Sequence, residues 1–132
     1  MENETFSLLI FHGSARPEAN AAAVSFAERL KKRIGMSSFA ICFLKGVAPE
    51  LETALEEAVV RGFKKIRLMP LFLLPGTHTC KDIPAAADVI KKTHPQVEIE
   101  IFDCLVEMPE FLELIGKKLN TPWQTMPVIQ GF

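Results

Sequence analysis

The sequence predicts an α/β fold in which four short strands alternate with four helices. Short, almost wholly apolar runs recur along the chain, as expected of parallel strands that are buried on both faces. Between these runs, apolar residues recur at spacings of three and four, the period of an amphipathic helix. Proline marks several helix starts and glycine marks several helix ends, which gives the elements clear boundaries.

The first strand and helix set the pattern for the rest of the chain. The strand covers residues 6–11, and a turn follows at residues 12–16. Pro17 opens the helix and Gly35 ends it. Its apolar stripe consists of Ala23, Ala27, Leu30 and Ile34.

Three further units follow. Strands are predicted at residues 39–44, 65–72 and 97–102. A second helix, opened by Pro49, follows the second strand, and a third helix is predicted at residues 83–93, before the last strand. A fourth helix follows the last strand and is marked by the apolar residues Met108, Leu112, Ile115 and Leu119. Pro70 lies inside the third strand, and because proline cannot donate to a ladder, we expect the regular pairing to loosen there.

This alternation predicts one domain over residues 1–120, with a parallel sheet and helices on both of its faces, followed by a tail at residues 121–132. A flavodoxin-like strand order of 2-1-3-4 places strands one and three side by side, with connections leaving toward opposite faces. Ligands bind at such a switch point, at the carboxyl ends of the strands. The tail, with Trp123 and Phe132, either covers an apolar patch or contacts a partner.

Composition excludes several classes of protein. An apolar fraction of 48% in 132 residues excludes general disorder, and a net charge of -1 gives no basic surface for nucleic acid. No apolar run approaches the roughly 20 residues that span a membrane, and residues 1–4 lack the basic start of a signal peptide. Cys42, Cys80 and Cys104 are odd in number and form no CxxC, which indicates a reducing cytoplasm.

Two histidines follow the two strands that the predicted order makes neighbours. His12 ends the first strand, and His78 comes after the third, beyond Pro75 and Gly76. Neighbouring strands lie about 4.8 Å apart, so both imidazoles can reach one metal ion or ligand. Neutral imidazole binds divalent transition metals and titrates near neutral pH. Two nitrogens leave coordination positions open, which suits transient binding and transfer.

Plainer interpretations stand beside this one. A histidine at a strand end can be satisfied by local polar partners, and for His94 a structural role at a helix end is preferred. Cys80 is a candidate third ligand, although a bystander thiol is the favoured interpretation. Backbone N–H groups around Gly13, Ser14 and Gly76 could bind carboxylates or phosphates. No GxGxxG or P-loop lysine motif accompanies them.

Two motifs carry a resemblance to a known family. His12-Gly13-Ser14 and the stretch from Pro70 through His78 to Pro84 resemble the small sirohydrochlorin chelatases of the CbiX type, class II chelatases of cobalamin, siroheme and related porphyrin-type biosynthesis. The resemblance spans residues 6–120. It implies a chelatase-like three-layer sandwich that pairs as a homodimer. It also implies a lyase that inserts Co²⁺, or in relatives Fe²⁺ or Ni²⁺, into sirohydrochlorin. The metal is then a substrate, and no cofactor is permanently bound.

The same resemblance assigns roles to individual residues. It implies that His12 is a metal ligand that also takes protons from the macrocycle, and that His78 is the second ligand. It implies that one loop lines the tetrapyrrole, made of Leu73, Leu74, Pro75, Gly76, Thr77 and His78. Lys45 stands where the family commonly has a substrate-contacting glutamate, and a lysine there can meet a substrate acetate or propionate. Arg16 follows Ala15, where relatives often have an arginine directly after the serine.

Three functional interpretations follow from the sequence. The first is an enzyme, a sirohydrochlorin cobaltochelatase. The second is a degenerate chelatase domain that carries metal or tetrapyrrole without turnover, supported by the departures at Ala15 and Lys45. The third is a structural flavodoxin-like domain without a ligand. Co²⁺ is the first expectation for the metal, yet imidazole pairs also accept Fe²⁺ and Ni²⁺, so the histidines alone do not select it.

Overall fold

The computed structural model describes residues 5–35, 38–44 and 46–123, and of residues 77–80 it describes the backbone alone. Within these residues four strands alternate with four α-helices. The strands are β1 (Thr5–Phe11), β2 (Phe39–Phe43), β3 (Lys65–Pro70) and β4 (Glu98–Ile101). The helices are α1 (Pro17–Ile34), α2 (Leu51–Val60), α3 (Thr77–Thr93) and α4 (Pro109–Leu119), and a 3₁₀ helix at Leu105–Glu107 precedes α4.

The four strands form one parallel sheet in the order β2-β1-β3-β4, which confirms the predicted topology. β1 and β3 are the two central strands, and Leu8 of β1 lies opposite Leu68 of β3. Because all four strands run the same way, their carboxyl ends share one edge of the sheet. The segments that follow β1 and β3 therefore emerge next to each other.

The main core lies between one face of the sheet and the pair α2 and α3. Alternate residues of β1, namely Phe6, Leu8 and Ile10, point into it. The helices contribute buried residues from both α2 and α3, namely Leu51, Ala54, Leu55, Ala58, Ile83, Ala86, Ala87 and Ile90. α1 covers the opposite face over β2, where the Lys31 ammonium lies 5.8 Å from the centroid of the Phe39 ring. Helices thus occupy both faces, as predicted.

The ends of α1 follow the sequence signals. Pro17 is its first residue, where a missing N–H costs no hydrogen bond. Gly35 has a φ of 63°, the left-handed conformation that favours glycine, and its N–H donates to the Lys31 carbonyl at 3.0 Å.

Pro70 disturbs the sheet less than expected. It stays in β3 opposite Ile10, and the next residue, Leu71, donates its N–H to the Ile10 carbonyl at 2.8 Å. The Leu68 carbonyl accepts a hydrogen bond from the Phe102 N–H, so the backbone groups of Leu68 point toward β4. Alternate residues of a strand direct their backbone groups the same way, and the nitrogen of Pro70 therefore also faces β4. β4 ends at Ile101, and the missing donor falls where regular pairing has already stopped. The expectation of loosened pairing was therefore wrong for the ladder with β1.

The third helix begins earlier than predicted. The sequence places its start at residue 83, but α3 begins at Thr77 and contains Pro84 as an internal residue. A proline inside a helix removes the bond from its own nitrogen to the carbonyl four residues earlier, and its ring crowds that carbonyl. Burial of Ile83, Ala86 and Ile90 against the sheet offsets that loss. The loop after β3 consequently ends at Gly76, not at His78.

α4 is a helix as predicted, but its apolar stripe does not face the core. Leu112 and Leu119 are 74% and 80% exposed, Ile115 is also exposed, and none of its residues is buried. Within the described part of the chain its principal packing partner is the 3₁₀ helix that precedes it. No described helix, α4 included, combines the length and apolar character needed to cross a bilayer.

Cys42 provides a pH-dependent test of the core. Burial raises the pKa of its thiol from 9.0 to about 12, and the nearby Glu52 carboxylate adds to the shift. The folded protein keeps the proton that the unfolded chain loses near pH 9, so the contribution of Cys42 to stability is complete below pH 9. It falls as pH rises toward 12, by up to about 1.4 kcal/mol per pH unit.

We therefore expect the free energy of unfolding in urea to fall more steeply between pH 9 and 10.5 in the unmodified protein than in Cys42→Ala. The chain has no tyrosine, and the lysines titrate in both proteins, so the difference in slope reports Cys42. Equal slopes would contradict the burial of a protonated thiol.

Candidate functional site

The end of β1 meets the segment that follows β3. His12 comes directly after β1 and is exposed. Its ring lies against Phe72, with 4.2 Å between ring centroids and 49° between ring planes. Phe72 is buried, two residues beyond the end of β3. The buried aromatic ring therefore supports one side of the exposed imidazole.

Backbone hydrogen bonds fix the heights at which the chain leaves the sheet. Leu71 donates its N–H to the Ile10 carbonyl, and Leu44 donates to the Phe11 carbonyl, each at 2.8 Å. Both bonds extend the parallel ladders one step beyond the regular strands. The residues after β1, β2 and β3 are consequently held at one level of the sheet edge.

The turn between β1 and α1 is closed by side chains of its own. The Ser14 N–H donates to Asn20 Oδ1 at 3.0 Å, and Asn20 Nδ2 donates to the Ser14 carbonyl at 2.9 Å. The Arg16 N–H donates to Ser14 Oγ at 3.0 Å. The N–H of Ser14, one of the donors that the sequence offered for a carboxylate or phosphate, is thus already used by Asn20.

The loop after Phe72 presents apolar side chains to solvent. Leu73 and Leu74 are 54% and 64% exposed, and Pro75 and Gly76 are exposed as well. Exposed apolar residues that lie side by side can form part of a contact surface. The 3₁₀ helix braces this loop, because Leu105 donates to the Phe72 carbonyl at 3.0 Å and Val106 donates to the Leu73 carbonyl at 3.2 Å.

The structure describes several predicted site residues only by their backbone, or not at all. Thr77 and His78 form the first turn of α3, directly after the exposed loop, but their side chains and that of Cys80 lie outside the description. Lys45 also lies outside the described residues, as do residues 1–4 and 124–132 with Phe132. The convergence of His12 and His78 on one metal therefore stays a prediction.

The neighbours of Lys45 are fixed at both sides. The Leu44 N–H donates to the Phe11 carbonyl at 2.8 Å, and the Gly46 N–H donates to Glu50 Oε2 at 3.0 Å. Gly46 has a φ of 85°, a backbone conformation that residues other than glycine rarely adopt. The segment that carries Lys45 thus starts and ends at defined points beside the carboxyl end of β1.

Other candidate groups lie apart from this edge. His94 follows the far end of α3, and its Nε2 lies 3.5 Å from Glu56 Oε1, in agreement with a structural role. Arg16 is exposed, with its Nε 3.8 Å from Glu18 Oε1. Among the side chains that the structure describes, no group of three or more His, Cys, Asp or Glu residues could hold a metal ion.

Three contributions to the site were absent from the sequence interpretation. They are the Phe72 ring under His12, the Asn20 bonds to Ser14, and the brace at residues 105–106. Asn20 had a usable signal, because asparagine favours hydrogen bonds to nearby backbone over a place inside a helix. The other two depend on contacts between distant segments, which a single sequence does not reveal.

Comparison with known proteins agrees with this architecture. The CbiX family model matches residues 7–121. A sirohydrochlorin cobaltochelatase of Saccharolobus solfataricus is 32% identical over 119 residues, which cover 86% of this chain and 91% of that protein. A sirohydrochlorin ferrochelatase of Priestia megaterium is 35% identical over 92 residues, which cover 70% of this chain and 35% of that protein.

A solved structure shows the same fold. The sirohydrochlorin chelatase SirB from Bacillus subtilis subspecies spizizenii, in complex with cobalt, superposes with a TM-score of 0.70 at 29% identity. The match covers 76% of this chain and 43% of SirB. The chain thus spans less than half of SirB and about a third of the Priestia protein, but nearly the whole of the Saccharolobus protein. With its family match over residues 7–121, its 2-1-3-4 sheet and its histidine at the end of β1, the chain belongs to the CbiX family.

Proposed function

We propose that this protein inserts a divalent metal ion, Co²⁺ in the first place, into sirohydrochlorin. The observation that carries the proposal is the exposed His12 imidazole, held against Phe72 one residue before the exposed Leu73 and Leu74. A flat macrocycle needs an apolar surface for its face, and the entering ion needs a nitrogen ligand beside that face. Both features occur at one edge of the sheet.

The relatives support the substrate and leave a choice of metal. The Saccharolobus protein, matched over nearly its whole length, is named a cobaltochelatase, whereas the Priestia protein is named a ferrochelatase. Both names specify sirohydrochlorin. Co²⁺ is our first choice because the relative of matching length is named a cobaltochelatase, with Fe²⁺ and Ni²⁺ as the alternatives.

In the proposed mechanism His12 and His78 hold the ion as a substrate while the tetrapyrrole binds. Insertion breaks two pyrrole N–H bonds and forms bonds from the pyrrole nitrogens to the metal, so two protons must leave. Once the ion moves to the macrocycle, the lone pair of His12 is free to accept one of them, and solvent takes the other. Holding both reactants in place removes much of the entropic cost of their encounter.

The remaining predicted contacts concern the substrate. Residues 73–76, continued by Thr77 and His78, would line one face of the macrocycle. Lys45 would pair with an acetate or propionate carboxylate, a charge-assisted contact. A cytoplasmic location agrees with Cys42 and Cys104, which are buried in the core and are not joined in a disulfide within the described residues.

We also propose that two copies of the chain form the working unit. A single copy offers one wall to a large, flat substrate, and it spans only 43% of SirB. α4 leaves Leu112, Ile115 and Leu119 exposed, and Trp123 beyond it is 95% exposed. This apolar surface is connected to the substrate loop, because Val106, just before α4, bonds to Leu73. A second copy is therefore the occupant that we expect on α4.

Metal insertion, followed by absorbance with Co²⁺, Fe²⁺ and Ni²⁺ separately, tests the proposed activity. We expect His12→Ala to lower the insertion rate 10²–10⁴-fold, the usual contribution of general-base assistance, without rescue by excess metal. His78→Ala should be partly rescued by excess metal, because a pure ligand acts mainly through binding. Lys45→Ala should raise the KM for sirohydrochlorin and leave Co²⁺ affinity unchanged.

His94→Ala is the matched control. His94 follows the end of α3 that lies away from the site and contacts Glu56 of α2, so the variant should insert metal at the rate of the unmodified protein. Full activity of His12→Ala at high metal would exclude its role as proton acceptor. Binding of metal and tetrapyrrole without insertion of any of the three ions would replace the enzyme by a carrier.

Sedimentation at micromolar concentration tests the proposed dimer. The unmodified protein should sediment at twice 14.7 kDa, and Leu112→Glu should weaken the dimer at least tenfold, because it buries a charge in an apolar contact. Val60→Glu, on the equally exposed end of α2, should leave association unchanged. A single 14.7 kDa species in the unmodified protein would rule the pairing out.

A further inference from the structure

The carboxamide of Asn20 makes two hydrogen bonds to the backbone of Ser14, in the loop that follows His12. Its oxygen accepts from the Ser14 N–H at 3.0 Å, and its nitrogen donates to the Ser14 carbonyl at 2.9 Å. Only one orientation of the amide satisfies both bonds, since the flipped group would set donor against donor and acceptor against acceptor. The pairing therefore restrains the backbone on both sides of the Ser14 α-carbon.

The same loop has few other restraints before α1 begins. Gly13 has a φ of 87° and permits a wide range of conformations. The Arg16 N–H bond to Ser14 Oγ lies at the exposed surface. The Asn20 bonds are partly buried, and they tie the loop to the first turn of an 18-residue helix. The ladders of β1 fix the chain before His12, and the Asn20 pairing is the partly buried restraint on the chain after it.

We propose that Asn20 is a positioning residue for His12: by fixing Ser14 it restrains the backbone after His12, so that the imidazole stays against Phe72. The role in catalysis rests on the proposed function. An error of about 1 Å in the placement of a reacting group can cost 10²-fold in rate. An ordinary helix-capping role would instead change stability and leave the loop and the chemistry unaffected.

The restraint itself is measured without turnover. In Asn20→Ala, ¹⁵N relaxation should show order parameters of residues 13–16 falling from about 0.85 to below 0.6, the ranges of rigid and flexible backbone. Co²⁺ affinity, titrated by absorbance, should fall at least tenfold. Ser25→Ala, an exposed position further along α1, is the matched control and should match the unmodified protein in both measurements.

Asn20→Asp keeps an acceptor for the Ser14 N–H but sets a carboxylate oxygen against the Ser14 carbonyl, so its loop order and Co²⁺ affinity should also fall below those of the unmodified protein. If Asn20→Ala does not fold, loop order and Co²⁺ affinity in Asn20→Asp decide whether Asn20 positions His12. In the insertion assay kcat should fall 10–100-fold in Asn20→Ala, with less than a threefold change in the KM for sirohydrochlorin.

A folded Asn20 variant with a rigid loop, or with a loosened loop and unchanged Co²⁺ affinity, would overturn the proposal. So would a loosened loop with full insertion activity. If the unmodified protein inserts none of the three metals, the proposed function fails, and loop order and Co²⁺ affinity still decide whether Asn20 positions His12.

Discussion

The parallel pairing of β1 with both of its neighbours is the constraint on which the rest of this structure depends. It sends the chain out of β1, β2 and β3 at one edge, and two further bonds, Leu71 to Ile10 and Leu44 to Phe11, fix the level of departure. The contact between His12 and Phe72 follows directly from this arrangement. A one-residue change in the register of β1 against β3 would move His12 off the Phe72 ring.

Stability and function occupy different parts of the molecule. The closed core lies between the sheet and the pair α2 and α3, where apolar burial supplies the main stabilisation. On the opposite face β3 and β4 carry exposed charges, such as the Arg67–Glu100 pair at 2.9 Å, which contributes little because both partners are half exposed. Exposed apolar residues lie next to one another in the loop at residues 73–74 and recur along α4 at Leu112, Ile115 and Leu119. Those two surfaces are where we place the substrate and the second copy.

Local signals in the sequence predicted the elements and their order well. Pro17 and Gly35 mark the ends of α1 because their effects act on their own backbone. Pro84 misled the prediction, since burial of the surrounding residues outweighs one lost hydrogen bond in α3. The period of α4 predicted a helix, but period alone does not specify what covers the apolar stripe.

The site was predictable where it depends on topology and unpredictable where it depends on contacts. Strand order and chain direction bring the end of β1 beside the segment after β3, so the closeness of His12 to that segment could be predicted from the sequence. The Asn20 bonds and the Phe72 ring required the folded arrangement of the turn and the loop. The ligand role of His78 and the substrate contact of Lys45 stay predictions.

We propose that the ends of β1 and β3 bring His12 and His78 to one ion, which a crystal structure of the Co²⁺-soaked protein would show. We expect one cobalt ion with an imidazole nitrogen of each histidine at about 2.0–2.3 Å, and with open coordination positions facing residues 73–76. Cobalt bound away from both histidines, or His12 and His78 on separate ions, would contradict it.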